Sequence, residues 1–278
     1  MARRVGVSPG LLRAWERRYG VLEPVRTAAG YRLYSHEDEE RVRAMVQMVH
    51  AGVSPHQAAR ALRSPPEPSA SATDRTPDAE RDALAEALER FDEGAAQATF
   101  DRLLSAYSLP TLLTGVLLPY LRDLGERWSR GEITVSQEHF ASNLIRARLL
   151  GLARGWDTGR GQRAVLACPA GERHDIGLIA FGLALRAQGW RITYLGPDTP
   201  VESLGEATAR LQPDALVVAA TAPERLTAVT PSVAPPGVRL AIGGPGAIPS
   251  HVERLDALLL DDDPFHAAEQ LATVGGLK

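Results

Sequence analysis

A segment rich in proline, serine and alanine constrains the fold most, because it divides the chain into parts that cannot share one core. Residues 64–78 read SPPEPSASATDRTPD and have no apolar periodicity, so they cannot contribute a packed face. We predict a flexible linker here. With 278 residues and 44% hydrophobic content, the chain is long enough to form separate cores on both sides of it.

The composition is that of a globular protein. The sequence has no apolar run of about 18 residues and no basic-then-apolar leader, which argues against membrane insertion and secretion. Its single cysteine, Cys168, excludes an internal disulfide and a multi-thiolate zinc site. We therefore expect a cytoplasmic protein without a membrane partner, and we expect Cys168 to be a core residue.

Two different periodicities follow the linker. Residues 79–158 carry apolar side chains at helical spacing, which predicts a four-helix bundle. From residue 162 to 278, short apolar strands alternate with helices, and the predicted strands are 164–167, 192–195, 215–219, 239–242 and 257–260. This alternation predicts a Rossmann-like, flavodoxin-like parallel sheet. The expected fold class is multidomain, α and α/β.

Residues 1–63 form a third predicted domain with a basic character. Ten arginines oppose six acidic residues in positions 1–62, although the whole chain carries a net charge of -3. Ser8 can cap a helix that starts at Pro9 and contains LLRAWERRY, and RTAAGYRLY at 26–34 predicts a glycine-turned hairpin. Such a surface favours DNA binding, and an arginine-rich helix that is merely solvated is the alternative.

The sequences R-x-W-E-R-R-Y-G and G-Y-R-L-Y resemble the winged helix-turn-helix head of MerR-type regulators. Heads of this family begin with a short strand and a complete first helix, so about eight to ten residues are missing by comparison. Either the start codon is assigned too late, which we expect, or the DNA-binding head is compromised. The resemblance implies operator DNA as a partner. The implied DNA contacts are Arg13, Trp15, Arg17, Arg18, Tyr31 and Arg32.

The loop after the first α/β strand reads CPAGERHDIG and lies at the edge where doubly wound sheets bind ligands. It lacks a G-x-G-x-x-G pattern, which disfavours nicotinamide and flavin dinucleotides, and the third strand ends without the carboxylate of a phospho-receiver. Small residues at the strand ends, among them Gly243 and Gly244, leave room for a large ligand. His174 is then either a ligand-binding residue or a solvated one.

The pattern Glu172-x-His174-x-x-Gly177, followed by Gly243-Gly244, resembles the cobalamin-binding domain in which a histidine replaces the dimethylbenzimidazole base under cobalt. The resemblance implies that His174 is the lower axial ligand of cobalt and that Glu172 orients its ring. It also implies that the nucleotide tail lies beside the glycine pair. A family serine is replaced here by Ala219, with Thr221 nearby.

The spacing of Trp128, Val135, Glu138 and His139 resembles the cap of CarH- and LitR-type light-responsive regulators. The resemblance implies adenosylcobalamin as the cofactor, with these residues around its 5'-deoxyadenosyl group, and a homo-oligomer, a tetramer by analogy. In that family a histidine directly after the tryptophan can bind cobalt once light has removed the adenosyl group. This chain has Ser129 at that position, which puts a stable bis-histidine photoproduct in doubt.

We therefore expect a transcriptional regulator, a repressor rather than an enzyme, that binds adenosylcobalamin. Light would cleave the cobalt-carbon bond and change the oligomeric state. Two alternatives stay open: a light-independent sensor of cobalamin or another tetrapyrrole that controls transcription, and a corrinoid protein that carries methyl groups for a methyltransferase.

Overall fold

The computed structural model describes residues 5, 7, 9–22, 24–26, 32–50, 55, 58–59, 62 and 76–275. Contacts divide the chain into two compact units, residues 1–75 and 76–278. Residues 64–75 of the predicted linker lie outside the described residues. The last two residues of that prediction are wrong, because the Thr76 hydroxyl accepts a hydrogen bond from the Ala79 amide and a helix begins at Pro77.

The first unit contains a helix pair and a short hairpin. The elements among its described residues are α1 (Pro9–Tyr19), β1 (Val25–Arg26), β2 (Arg32–Leu33) and α2 (His36–His50). The two strands are antiparallel. Ser35 and Asp38 cap α2 reciprocally, since each backbone N–H donates to the other's side chain at 2.9–3.0 Å. The core of the unit includes Leu12, Trp15, Val21, Leu22, Val42 and Met45.

The second unit begins with four helices, as the sequence predicts. They are α3 (Pro77–Glu89), α4 (Glu93–Ala106), a π-helical segment (Thr111–Leu117) that continues as α5 (Leu118–Ser129), and α6 (Val135–Leu152). Side-chain caps start α3, α4 and α6, at Thr76, Asp92 and Thr134. No helix among the described residues has the length and apolar character needed to cross a membrane.

The π-helical segment lets one continuous helix pass through Pro119. In a regular α-helix the proline ring would clash with the carbonyl four residues earlier and would leave that carbonyl without a donor. Here the amide of Leu118 donates to the carbonyl of Leu113, five residues back, so the wider turn comes directly before the proline. The helix therefore reaches Trp128 without a break.

A five-stranded parallel sheet follows, in the order β4-β3-β5-β6-β7, which is the flavodoxin-like order. The strands are β3 (Arg163–Pro169), β4 (Arg191–Thr199), β5 (Ala215–Ala219), β6 (Arg239–Gly243) and β7 (Leu258–Leu259). The helices are α7 (Ile176–Ala187), α8 (Val201–Leu211), α9 (Pro249–Leu255) and α10 (Pro264–Gly275), and two short 3-10 turns follow β5 at Pro223–Leu226 and Pro231–Val233.

Strand β4, the second strand of the parallel sheet along the chain, is longer than the sequence predicts. The pairing of β4 with β3 continues through a bulge as Ala167 opposite Gly196 and Pro169 opposite Thr199, beyond residue 195, where the predicted strand ends. Gly196 has a φ of +92°, a conformation that favours glycine and that accommodates the bulge. Residues 196–199 therefore lie beside the loop after β3.

Bundle and sheet share one hydrophobic core and do not form two separate domains. At Gly182 on α7 a Cβ atom would lie 2.8 Å from the ring of Trp156 and 2.9 Å from Leu166, so the helix approaches its neighbours as closely as glycine permits. The helices of the bundle lie in residues 77–152 and the strands of the sheet begin at residue 163, close to the predicted division into 79–158 and 162–278. Their shared core makes them a single compact unit.

Candidate cofactor site and DNA-binding surface

A cavity of about 890 Å³ lies between the helix bundle and the carboxyl edge of the sheet. It opens at the ends of the neighbouring strands β3 and β5. The connection after β3 leads to one side of the sheet and the connection after β5 leads to the other, and sheets of this type bind ligands at that point. Most of the predicted cofactor residues line it: Trp128, Glu138, His139, His174, Gly177, Thr221, Gly243 and Gly244. The two others do not: Glu172 is buried behind His174, and Val135 is 53% exposed outside the lining.

His174 presents its imidazole to this cavity. The side chain is 74% exposed, and its Nδ1 lies 2.7 Å from Oε1 of Glu172, which also accepts the backbone N–H of His174 at 2.8 Å. Because a carboxylate only accepts hydrogen bonds, Nδ1 carries the proton in the neutral ring. Nε2 then keeps a free lone pair, which can bind a metal.

Glu172 is held as an anion by four hydrogen bonds. Its Oε2 accepts from the backbone N–H and the hydroxyl of Thr221, both at 2.7 Å, while Oε1 accepts twice from His174. Burial by itself would raise the pKa of Glu172, but the bonds from Thr221 and His174 outweigh it and lower that pKa to about 2. Thr221 thus stabilises the carboxylate that orients the imidazole.

Four residues that were not predicted as site residues surround the same loop. Asp175 is buried and accepts hydrogen bonds from Arg146 and Tyr194. Asp198 Oδ1 accepts the N–H of Gly171 at 2.7 Å, which ties the bulge of β4 to the loop. Two of these residues could have been predicted from the sequence. Asp175 follows His174 directly, and Arg146 lies seven residues after His139, which places both side chains on the same face of one helix.

Cys168 lies at the base of the loop as a core residue, as expected. Burial raises the pKa of its thiol to about 12, which keeps it protonated. Its Sγ lies 3.7 Å from the carbonyl oxygen of His174, to which it donates. The thiol therefore supports the loop from below.

The bundle supplies the opposite wall. Trp128, half-exposed, comes from the end of α5, and Glu138 and His139 come from the first turns of α6. The Ser142 hydroxyl donates to Glu138 at 2.6 Å, and Nε2 of His139 lies 3.6 Å from the other carboxylate oxygen. Ser129 donates its hydroxyl to the carbonyl of Glu126 at 2.7 Å.

The space between these walls suits a large planar group. Gly125 and Gly177 both line the cavity, and a Cβ atom at either position would meet no protein atom within 4 Å. Gly244 has a φ of +82°, and its Cβ would lie 2.6 Å from the carbonyl oxygen of Ala220. The free Nε2 of His174 in such a space fits a metal whose other ligands come with a macrocycle.

The predicted DNA-binding residues have different environments in the first unit. Arg17 and Arg18 are exposed on α1, whereas Arg32 donates its Nε to Glu16 at 2.9 Å and so holds the hairpin to the helix. Trp15 is wrong as a DNA contact, since it is 5% exposed and packs in the core of the unit. Tyr31 and the side chain of Arg13 lie outside the described residues.

Comparisons with known proteins agree with this architecture. A MerR HTH family regulatory protein model matches residues 1–65, and a B12 binding domain model matches residues 80–150. The chain is 39% identical to the HTH-type transcriptional repressor CarH of Myxococcus xanthus over 222 residues, which cover 77% of this chain and 74% of CarH. It is 36% identical to the repressor CarA of the same organism over 242 residues, covering 82% and 78%.

The second unit also has the fold of a solved corrinoid protein. The monomethylamine corrinoid protein of Methanosarcina barkeri superimposes with a TM-score of 0.61 at 18% identity, covering 72% of this chain and all of that one. At this identity the similarity concerns the fold alone. The relatives over most of the chain are repressors, so the chain is a regulator and not an enzyme, with a DNA-binding head and a cobalamin-binding part. It belongs to the CarH-type family of MerR transcriptional repressors with a B12-binding domain.

Proposed function

We propose that this chain is a light-responsive repressor whose cofactor is adenosylcobalamin, with His174 as the lower axial ligand of cobalt. The observation that carries the proposal is the imidazole of His174, which Glu172 fixes through Nδ1 while Nε2 remains free on the cavity wall. The family supports cobalamin as the cofactor. When bound, adenosylcobalamin supplies a cobalt-carbon bond that visible light can cleave.

The two walls have separate roles in this proposal. Glu172 and Thr221 keep the imidazole in one tautomer and orientation, which raises the basicity of Nε2. Trp128, Glu138 and His139 line the bundle side of the cavity and would hold the upper group of the cofactor there. Gly177 would leave room for the nucleotide tail on the sheet side, where Gly243 and Gly244 also line the cavity. Val135 has no part in the proposal, because it lies outside the lining.

Switching follows from the shared cavity. A bulky upper group favours one arrangement of α5 and α6 over the sheet, and its loss after illumination removes that preference. The arrangement in the dark would favour a homo-oligomer that places several heads on one operator. Linked heads gain affinity only while they are held together, so dissociation of the oligomer releases the DNA.

Operator binding is assigned to α1. Arg17 and Arg18 are exposed on it and are proposed to enter a major groove, and Arg13 keeps its predicted DNA contact. Arg32 is proposed to contact the phosphate backbone from the hairpin with the donors that its bond to Glu16 leaves over. Tyr31 keeps its predicted phosphate contact.

The experiment that tests the cofactor proposal is the visible absorption spectrum of the full chain with adenosylcobalamin, before and after green light. We expect a spectrum with an axial imidazole in the dark and an irreversible change on illumination. His174→Ala should lose the imidazole signature, and the matched control His266→Ala, at an exposed histidine of α10, should keep it. An unchanged spectrum in His174→Ala would refute the assignment of the lower ligand.

A second candidate function, a cobalamin sensor that does not use light, is favoured by Ser129. The family histidine that can bind cobalt after illumination is replaced, and the Ser129 hydroxyl is directed to the carbonyl of Glu126. Gel shifts of an operator fragment with adenosylcobalamin, in the dark and after light, separate the two. Equal binding under both conditions would favour the sensor, whereas loss of binding after light would favour the photoreceptor.

A further inference from the structure

Arg146 connects the bundle to the histidine loop across the cavity. Its Nε lies 2.7 Å and 3.0 Å from the two carboxylate oxygens of Asp175, the residue directly after His174. We propose that Arg146 is a positioning residue for the lower axial imidazole, so that α6 determines the geometry of the histidine loop. This inference rests on the proposed role of His174 as the cobalt ligand.

Asp175 depends on Arg146 because it is buried. Its side chain is 2% exposed, and a buried carboxylate is unfavourable unless a cation and hydrogen bonds compensate it. Arg146 supplies the cation, and the hydroxyl of Tyr194 supplies a further donor. Burial and the bond to Asp175 both raise the pKa of Tyr194, so this hydroxyl stays protonated and continues to donate. Removal of Arg146 would leave the carboxylate without its charge partner, and the loop would move to hydrate it.

The start of α7 gives independent support for this role. Asp175 occupies the N-cap position of α7, where an aspartate usually accepts a hydrogen bond from the helix amides. Its side chain makes no such bond. The carboxylate is directed to Arg146 and Tyr194, so the ion pair replaces a cap that the sequence could otherwise form.

The same helix also carries the upper wall. Glu138, His139, Ser142 and Arg146 follow one another at helical spacing, and all of them line the cavity. A displacement of α6 caused by a change on the bundle side of the cavity therefore acts on Asp175 directly. By linkage, the position of the histidine loop and the contacts of the upper wall influence each other.

The first test uses the cofactor-free full chain and follows amide hydrogen exchange in residues 170–177. Arg146→Met keeps the aliphatic stem but removes the cation, and we expect exchange about tenfold faster than in the wild type. Arg146→Lys should restore part of the protection. Arg148→Met is the matched control, because Arg148 lies on the same helix and pairs with the exposed Asp101. Unchanged exchange in Arg146→Met would overturn the proposal.

The second test measures axial coordination in the full chain with bound cob(II)alamin. With 15N-labelled histidine in the protein, a doublet splitting in its electron paramagnetic resonance spectrum reports an axial histidine, whereas the cofactor's own dimethylbenzimidazole would give a triplet. We expect Arg146→Met and Asp175→Asn to bind cob(II)alamin with a reduced imidazole-bound fraction, and Arg148→Met to match the wild type. If His174→Ala loses the splitting while Arg146→Met retains it in full, positioning by Arg146 is refuted. If His174→Ala retains it, the proposed function fails, and the exchange result still decides the coupling.

Discussion

Glu172 offers the sharpest test of the site, because its environment predicts both the size and the pH dependence of an effect. In Glu172→Gln the amide nitrogen becomes a donor, so in either orientation it faces two donors from Thr221 or from His174. The decrease in the pKa of Glu172 from its ordinary 4.5 to about 2 corresponds to about 3 kcal/mol of folding stability.

The sign of the pH dependence follows from the direction of that change. A carboxyl group whose pKa is lower in the folded state stabilises the fold above its unfolded pKa, and the stabilisation is lost as the pH falls through the folded pKa. The contribution of Glu172 is therefore complete above about pH 5 and decreases towards pH 2. By pH 3 it should be reduced from about 3 to about 1 kcal/mol.

The assay is urea unfolding of the full chain from pH 7 to pH 3, followed by tryptophan fluorescence. Trp156 and Trp190 are buried in the second unit and report its transition. We expect the difference in free energy of unfolding between the wild type and Glu172→Gln to shrink as the pH falls. Glu253→Gln, at an exposed position on α9, is the control and should follow the wild type. A difference that stays constant over the whole range would refute the reasoning.

Three further predictions concern other parts of the molecule. Arg17→Ala should weaken operator binding by about 1–3 kcal/mol in a gel shift, whereas the reference variant Arg43→Ala should bind like the wild type. Equal operator affinities of the two variants would contradict the docking of α1 on DNA. Trp15→Ala should destabilise the first unit by about 3–5 kcal/mol in thermal unfolding, while Trp15→Phe retains DNA binding; loss of binding in a folded Phe variant would reinstate Trp15 as a contact. Gly182→Ala should destabilise the second unit by about 1–3 kcal/mol, whereas Gly151→Ala, which meets no atom within 4 Å, should not; equal stabilities would disprove the close approach.

The sequence by itself determined the order and type of the layers. Apolar strands alternating with helices can bury their faces only as a parallel sheet covered by helices, so five parallel strands could be predicted from residue 163 onwards. The motif from Glu172 to Gly177 likewise indicated the loop, because local spacing places His174 at the end of a strand. These features depend on neighbours in the chain, which a sequence displays directly.

Only the tertiary structure decided what depends on distant partners. Arg146 and Asp175 are 29 residues apart and form an ion pair because α6 packs over the start of α7. The DNA-reading motif contained Trp15, but packing of α1 against α2 directs that side chain into the core. Val135 shares a helix with Glu138, yet the helix directs it away from the cavity. Which face of a helix is covered is a property of what packs against it, and the spacing of residues within that helix does not contain this information.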